Sequence, residues 1–210
     1  IMKKILYSVA LAACCMGTMT SCSDFLDASN KSNVTAKQSF ATKEGLNNLV
    51  NDAYQHLQNV YAAPLFTSCF SAGTDMYADA RNKMNEPLNT YETLTPENSD
   101  IKNLYTYLYS GIRAANSVSY YAQSAKVDDA TKNKLVGEAR VLAAYEYYLL
   151  VNNFGGVPLM KDFLTSAETG YPKSSAADVY AYIISELEDV ISKNVLEAST
   201  ATKGGGRISQ

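Results

Sequence analysis

Tryptophan is absent from this 210-residue chain, and histidine occurs once, at His56. A single histidine excludes histidine-rich metal centres and leaves any nucleophile–imidazole pair only one candidate base. His56 itself falls inside a helical pattern (Leu46, Leu49, Ala53, Leu57, Val60), which makes it a helix-surface or packing residue. Basic clusters are missing too, and 21 acidic residues outnumber 18 basic ones, which argues against nucleic acid as a partner. No useful run of β-alternation occurs, so sheet architectures are excluded. The one long apolar run, Ile5 to Met19, is about 15 residues, short of the ~20 a membrane-spanning helix needs. Tyrosine is the exception to this sparseness: there are 16, most of them on helical segments.

The apolar run has its own logic. Lys3 and Lys4 precede it, and the small residues Thr20 and Ser21 lead into Cys22 and then the acidic stretch SDFLD. Charge, a short apolar core and small residues form the layout of a secretory signal peptide. Its end resembles the lipobox of bacterial lipoproteins, in which the cysteine thiol is acylated and becomes the new N-terminus. Cys14, ending LAAC, is a competing lipobox, but cleavage there would leave an apolar core of only nine residues, Ile5 to Ala13, and a greasy tail behind it. Cys22 is therefore the favoured lipidation site, ahead of Cys14 and of an ordinary signal peptide with an incidental cysteine. Each buried acyl CH₂ contributes ~0.8 kcal/mol, so a multiply acylated cysteine anchors firmly. Asp24 and Asp27 resemble the acidic tether that directs some lipoproteins to the outer face of the outer membrane. Residues 1–21 are thus read as a lipoprotein signal peptide, 22–41 as a lipidated, polar and irregular acidic tether, and 42–210 as the folded domain. Without Lys3 and Lys4, 16 basic residues face 21 acidic ones, a net charge of about −5. Cys69 is then the last thiol, which excludes an intrachain disulfide. In PLFTSCF it reads as a small buried hydrophobe.

Four helices follow from periodicity and caps. Thr42 caps the first, whose apolar residues run from Leu46 to Val60 and which ends near Tyr61. Residues 64–98, with Gly73, Pro87 and Pro96, read as a long loop with little regular structure. The second helix begins around Asn98 to Asp100 and carries Ile101, Leu104, Leu108, Ile112, Ala115 and Val118 as far as about Ala125. Asp128 caps the third, which runs to Phe154, where Gly155, Gly156 and Pro158 stop it. Between Val141 and Val151 only Glu146 is charged, so this helix is expected to be central and covered on nearly every side. Ser175 and Asp178 form a capping box for the fourth, with Tyr180, Ile183, Ile184, Leu187, Val190 and Ile191 as its buried face. Long helices joined by short turns pack antiparallel. The class is all-α, built of helical hairpins.

Two carboxylates on the third helix, Glu138 and Glu146, invite a glycosidase reading. They lie about 12 Å apart along the helix, too far for a retaining pair, so structural salt-bridging with Arg140 and neighbouring helices is the better account. KGGGR (203–207) is not a phosphate-binding loop, since its lysine precedes the glycines and no strand leads in; it reads as a linker.

The segment GEARVLAAYEYYLLVNNFGGVPL, residues 137–159, resembles the central signature of the SusD-like (SusD/RagB) outer-membrane nutrient-binding lipoproteins. LYSGIRAANSV (108–118), SAADVYAYIISELEDVI (175–191), GRIS (206–209) and the leading CSDFLD are similar to further pieces of that family, in the family's order. Val141 and Ala143 depart from it, standing where an aromatic and an arginine are usual; both are packing positions. Family members are about twice this length or more, so the resemblance implies a C-terminally truncated family domain. It further implies a tetratricopeptide-like α/α superhelix with a loop-rich ligand face. The implied role is capture of oligosaccharides, or in some members peptides, on the cell surface and delivery to a TonB-dependent SusC-type transporter, with no bond made or broken and no cofactor. A helical-repeat scaffold lipoprotein without a small ligand is the alternative. Family binding sites draw on the segment after the first helix. There Asp75, Tyr77, Asp79, Arg81, Asn82 and Tyr91 place aromatic rings beside hydrogen-bonding side chains, the pairing that sugar recognition uses.

Overall fold

A computed structural model describes residues 35–62, 64–77, 86–166, 168–198 and 206–209. The chain divides into a unit of residues 1–35 and a unit of residues 36–210, and the elements below belong to the second. Cys22, Cys14, the signal peptide and most of the tether lie outside the described residues, as do Asp79, Arg81 and Asn82.

Seven helices form among the described residues: α1 (Ala36–Ser39), α2 (Lys43–Tyr61), α3 (Leu65–Phe70), α4 (Glu86–Thr90), α5 (Ser99–Ala122), α6 (Asp129–Phe154) and α7 (Ala176–Lys193). Local chemistry sets their ends. The side chains of Thr42, Asn98 and Asp128 each accept a backbone N–H of the helix they cap, and Ser175 with Asp178 completes a reciprocal capping box. Gly155 closes α6 with φ 69°, a left-handed value that glycine adopts without a Cβ clash.

α5 lies between α2 and α6, and α6 in turn packs against α7. The core has two centres. One joins Leu46, Val50 and Ala53 of α2 to Val118 of α5 and to Leu135 and Leu142 of α6. The other gathers Val60, Leu104, Leu108 and Ile112 around Tyr147 and Leu150, with Val179 and Ile183 closing it from α7. Fully burying a side chain of this size contributes about 1.5–3 kcal/mol relative to exposure, so these two centres carry most of the fold. Tyr147 can be wholly buried because its hydroxyl is satisfied twice, donating to the Met160 carbonyl at 3.1 Å and accepting the Met160 N–H at 2.7 Å.

Five expectations change. Residues 64–98 are not a plain loop, since α3 and α4 form inside them and bury Leu65 and Leu88. The 22–41 stretch is helical at its end, and Phe40 packs on the core. α6 is not covered all round: Tyr145 and Tyr148 are 38% and 46% exposed. α7 buries Val179, Ile183 and Val190, whereas Tyr180, Ile184 and Ile191 face outward; with two apolar faces, the one that met α6 was covered. The end of KGGGR is not a free linker. Arg207 donates to Glu138 at 2.7 Å and to Asn47 at 2.9 Å, and Ile208 packs beside Tyr54 and donates its N–H to the Tyr54 hydroxyl at 2.8 Å.

The salt-bridging role given to Glu138 and Arg140 holds. Arg140 on α6 donates to Glu186 at 2.6 Å and also pairs with Asp189, tying α6 to α7; these hydrogen bonds hold its pKa above the ordinary arginine value. Glu146 is the exception, buried with no hydrogen-bond partner to either oxygen among the described residues. His56 pairs loosely with Asp52 one turn away, at 3.8 Å, as a half-buried packing residue. Cys69 is half-buried against the second core centre, and burial pushes its thiol up to about 11, which keeps it protonated and unreactive.

Candidate functional site

The candidate site grows from the turn after α3. Phe66 and Phe70, one helical turn apart, stack at 5.2 Å, and Tyr61 at the end of α2 stacks on Phe66 at 5.3 Å. The chain then reverses: the Thr74 hydroxyl donates to the Ser71 carbonyl at 2.8 Å, Gly73 takes φ 74°, and a single antiparallel bridge joins Thr74 to Tyr77. That turn presents Asp75, Met76 and Tyr77 to solvent, with Met76 92% and Tyr77 38% exposed.

Tyr91 reaches the same turn from the end of α4. Its hydroxyl lies so close above Gly73 that a Cβ at position 73 would collide with it and with the Leu88 carbonyl. Tyr91 also adopts φ 63°, a left-handed conformation costing a non-glycine residue about 1–2 kcal/mol. Burial of Leu88 on the preceding turn holds it there, and the ring remains 57% exposed. Of the six sequence candidates, the structure therefore places Asp75, Tyr77 and Tyr91 around one turn; Asp79, Arg81 and Asn82 are not described.

Helix-borne aromatics that are not among the six sequence candidates extend this face. The Tyr61 hydroxyl meets the Tyr145 hydroxyl across α2 and α6, and the Tyr145 and Tyr148 rings lie 6.2 Å apart and nearly parallel. Burial and this bond raise Tyr61 to about 12. The run YEYY (145–148) held a partial signal: Tyr145 and Tyr148 stand three residues apart and so share a face that Tyr147 does not, but the run does not say which way that face looks. Exposed rings flanked by a few polar side chains offer apolar faces to a sugar or a planar group. Among the described residues no cluster of His, Cys, Asp or Glu is arranged to hold a metal ion, and no helix is long and apolar enough to cross a membrane.

Antiparallel helices stacked side by side define a tetratricopeptide-like architecture, and the comparisons with known proteins agree. A family described as SusD-like, starch-binding and associating with the outer membrane matches residues 24–201, and the chain belongs to that family. It is 28% identical over 196 residues to the SusD-like protein P38 of Formosa agariphila, an alignment covering 88% of this chain and 36% of the relative. The surface glycan-binding protein A of Bacteroides uniformis superposes with a TM-score of 0.61 at 27% identity, covering 79% of this chain and 38% of that one. The surface glycan-binding protein A of Bacteroides thetaiotaomicron, solved with laminarihexaose, gives 0.60 at 22% identity over 80% of this chain and 36% of that one; at that identity it supports the fold alone. The chain spans little more than a third of the length of these relatives.

Proposed function

We propose that this chain is the N-terminal part of an outer-membrane lipoprotein, anchored through Cys22 and facing the cell exterior, that binds oligosaccharides and passes them to a TonB-dependent SusC-type transporter. The observation that carries the reading is the turn at Gly73, where Tyr91 is held in a strained conformation with its ring exposed beside Tyr77, in a chain of a family described as starch-binding. Strain at an exposed aromatic residue is a property of binding sites more than of packing. The 27%-identical relative named as a surface glycan-binding protein supports the ligand class, and the lipobox-like Cys22 with Asp24 and Asp27 supports the address. The role is capture and release without catalysis.

Calorimetry with neutral oligosaccharides tests it, on the wild type and on Tyr77→Ala and Tyr91→Gly, the glycine being chosen because it keeps the left-handed backbone. Loss of one stacking ring is expected to weaken binding by about five- to tenfold, from ~1–1.5 kcal/mol, with an unchanged melting temperature. Binding equal to wild type in both variants would move the site elsewhere. Loss of palmitate-analogue labelling in Cys22→Ala, with retention in Cys14→Ala, tests the anchor.

The exposed Tyr61, Tyr145 and Tyr148 on one side, and Tyr180, Ile184 and Ile191 on α7, favour a second reading. In that reading the helices serve as a scaffold that docks further protein. A protein that keeps its fold and membrane address but binds no glycan, with or without the tyrosines, would establish the scaffold.

A further inference from the structure

A second concavity lies away from the tyrosine turn and shares no lining residue with it. One wall is a face of α5, where Thr106, Tyr109, Arg113 and Asn116 recur at three- and four-residue steps. Such a face usually packs, but α5 already spends Leu104, Leu108 and Ile112 on the core. The other wall is the chain leaving α6. Its first part is clamped to α5 by side chains: Tyr109 donates to the Pro158 carbonyl at 2.8 Å, and Asn116 to the Met160 carbonyl at 2.8 Å. At Phe163 the chain turns out, the ring resting 5.2 Å from Tyr120 and under the Arg113 guanidinium at 5.4 Å. Leu164, Ser166 and Glu168 then line the cavity again.

The groove is open on one side and holds about 490 Å³, within the range of ~300–1,000 Å³ typical of small-ligand sites. Its lining mixes two kinds of group. Ile112, Met160 and Leu164 supply apolar surface, while Thr106, Ser110 and Asn116 add hydroxyls and an amide beside the charged Arg113, Asp162 and Glu168. Among the described residues Arg113 forms no ion pair; the Phe163 ring fixes its guanidinium instead. Glu168 is oriented by the Tyr171 hydroxyl, which donates to it at 2.9 Å.

We infer that this groove between α5 and the segment of residues 158–166 with Glu168 is a second binding site, for a neutral pyranose unit of a glycan. Two carboxylates against one guanidinium disfavour an anionic sugar. A neutral ring suits both wall types, setting its C–H face on Leu164 and Met160 while paired hydroxyls take the planar forks of Arg113 and Asp162. A groove with an apolar floor and several planar polar groups at its open rim orients a sugar by hydrogen bonding. The inference rests on the glycan-binding reading above but concerns different residues, so the two can fail separately.

Backbone amide shifts of the isotope-labelled full chain, titrated with laminarihexaose, maltohexaose and a hexamer of galacturonate, test it. Saturable shifts at residues 106–116 and 160–168 with at least one neutral hexamer are the expected result. Arg113→Gln and, independently, Asp162→Asn should weaken those shifts about tenfold or more while leaving the shifts at 71–77 and 91 untouched. Shifts confined to 71–77 and 91 would overturn this inference and leave the tyrosine turn standing. Shifts nowhere with either neutral hexamer would overturn both. Galacturonate binding tighter than the neutral hexamers in this groove would overturn the neutral class, as would folded Arg113 and Asp162 variants that titrate like the wild type.

Discussion

Glu138 and Glu146 sit eight residues apart on the same helix, and both are shut away from solvent, at 1% and 0% exposure, yet their surroundings are opposites. Glu138 accepts the Tyr54 hydroxyl at 2.6 Å and the Arg207 guanidinium at 2.7 Å, joining α2, α6 and the 206–209 segment at one carboxylate. Its Tyr54 partner pays in acidity: burial first, and the bond to Glu138 second, drive the phenol well above the ordinary tyrosine value. Glu146 faces Gly111 of α5 across a gap so narrow that a Cβ there would strike its carboxylate. Glycine has no side chain to donate, and burial holds Glu146 well above the ordinary carboxylate range. Depth alone therefore does not decide how a carboxylate in this helix is held. A guanidinium delivered from another segment meets the one at position 138, and no partner among the described residues meets the one at 146.

The contrast breaks first at its charged end. Arg207→Ala leaves Glu138 buried without its cation and is expected to cost about 2–4 kcal/mol, the lower part of the usual range because a third of the arginine is exposed. Urea unfolding checks it, and a loss under 1 kcal/mol would mean that water replaces the guanidinium.

Gly111→Ala probes the other end. Its Cβ must displace the Glu146 carboxylate or part the helices, which is expected to cost about 1–3 kcal/mol. Because the collision is with a side chain, adding Glu146→Ala should recover much of that loss; a purely additive double mutant would show that helix backbones, not Glu146, set the spacing.

The smallest effect is the most diagnostic. A raised folded-state pKa means that, above the ordinary carboxylate value, the unfolded chain releases a proton that the folded chain keeps. Stability is then full at low pH and falls as pH rises through that window. Glu146→Gln should be the more stable protein at neutral pH, with the difference from wild type shrinking on acidification. A difference that grows as pH falls would place a hidden cation beside Glu146.

Helix boundaries were legible in the sequence because caps are local chemistry: Thr42, Asn98, Asp128 and the Ser175–Asp178 box act within three residues of the ends they mark. What escaped depends on distant parts of the chain. Nothing near Glu138 announces Arg207, and nothing in α7 says which of its two apolar faces will meet α6. Likewise α3 and α4 are six and five residues long, shorter than the window over which a helical period can be read, and they exist because Leu65 and Leu88 find the core. At the candidate site the sequence offered Asp75, Tyr77 and Tyr91, which the structure places around one turn. It could not show that Tyr91 leans on Gly73, since that contact depends on a left-handed backbone, nor that Tyr145 and Tyr148 look outward.

The Arg207 clamp also has a consequence for how the chain is made. Sixty-nine residues separate Glu138 from the guanidinium that neutralises it. At ~5–20 residues per second, a ribosome needs roughly 3–14 seconds to supply that interval. At its start α2 and α5 are already synthesised, and α6 and α7 are completed during it, but the carboxylate at the junction of α2 and α6 has no guanidinium beside it. The nascent helices wait with that junction open to water, and its last contact is made only when the arginine arrives.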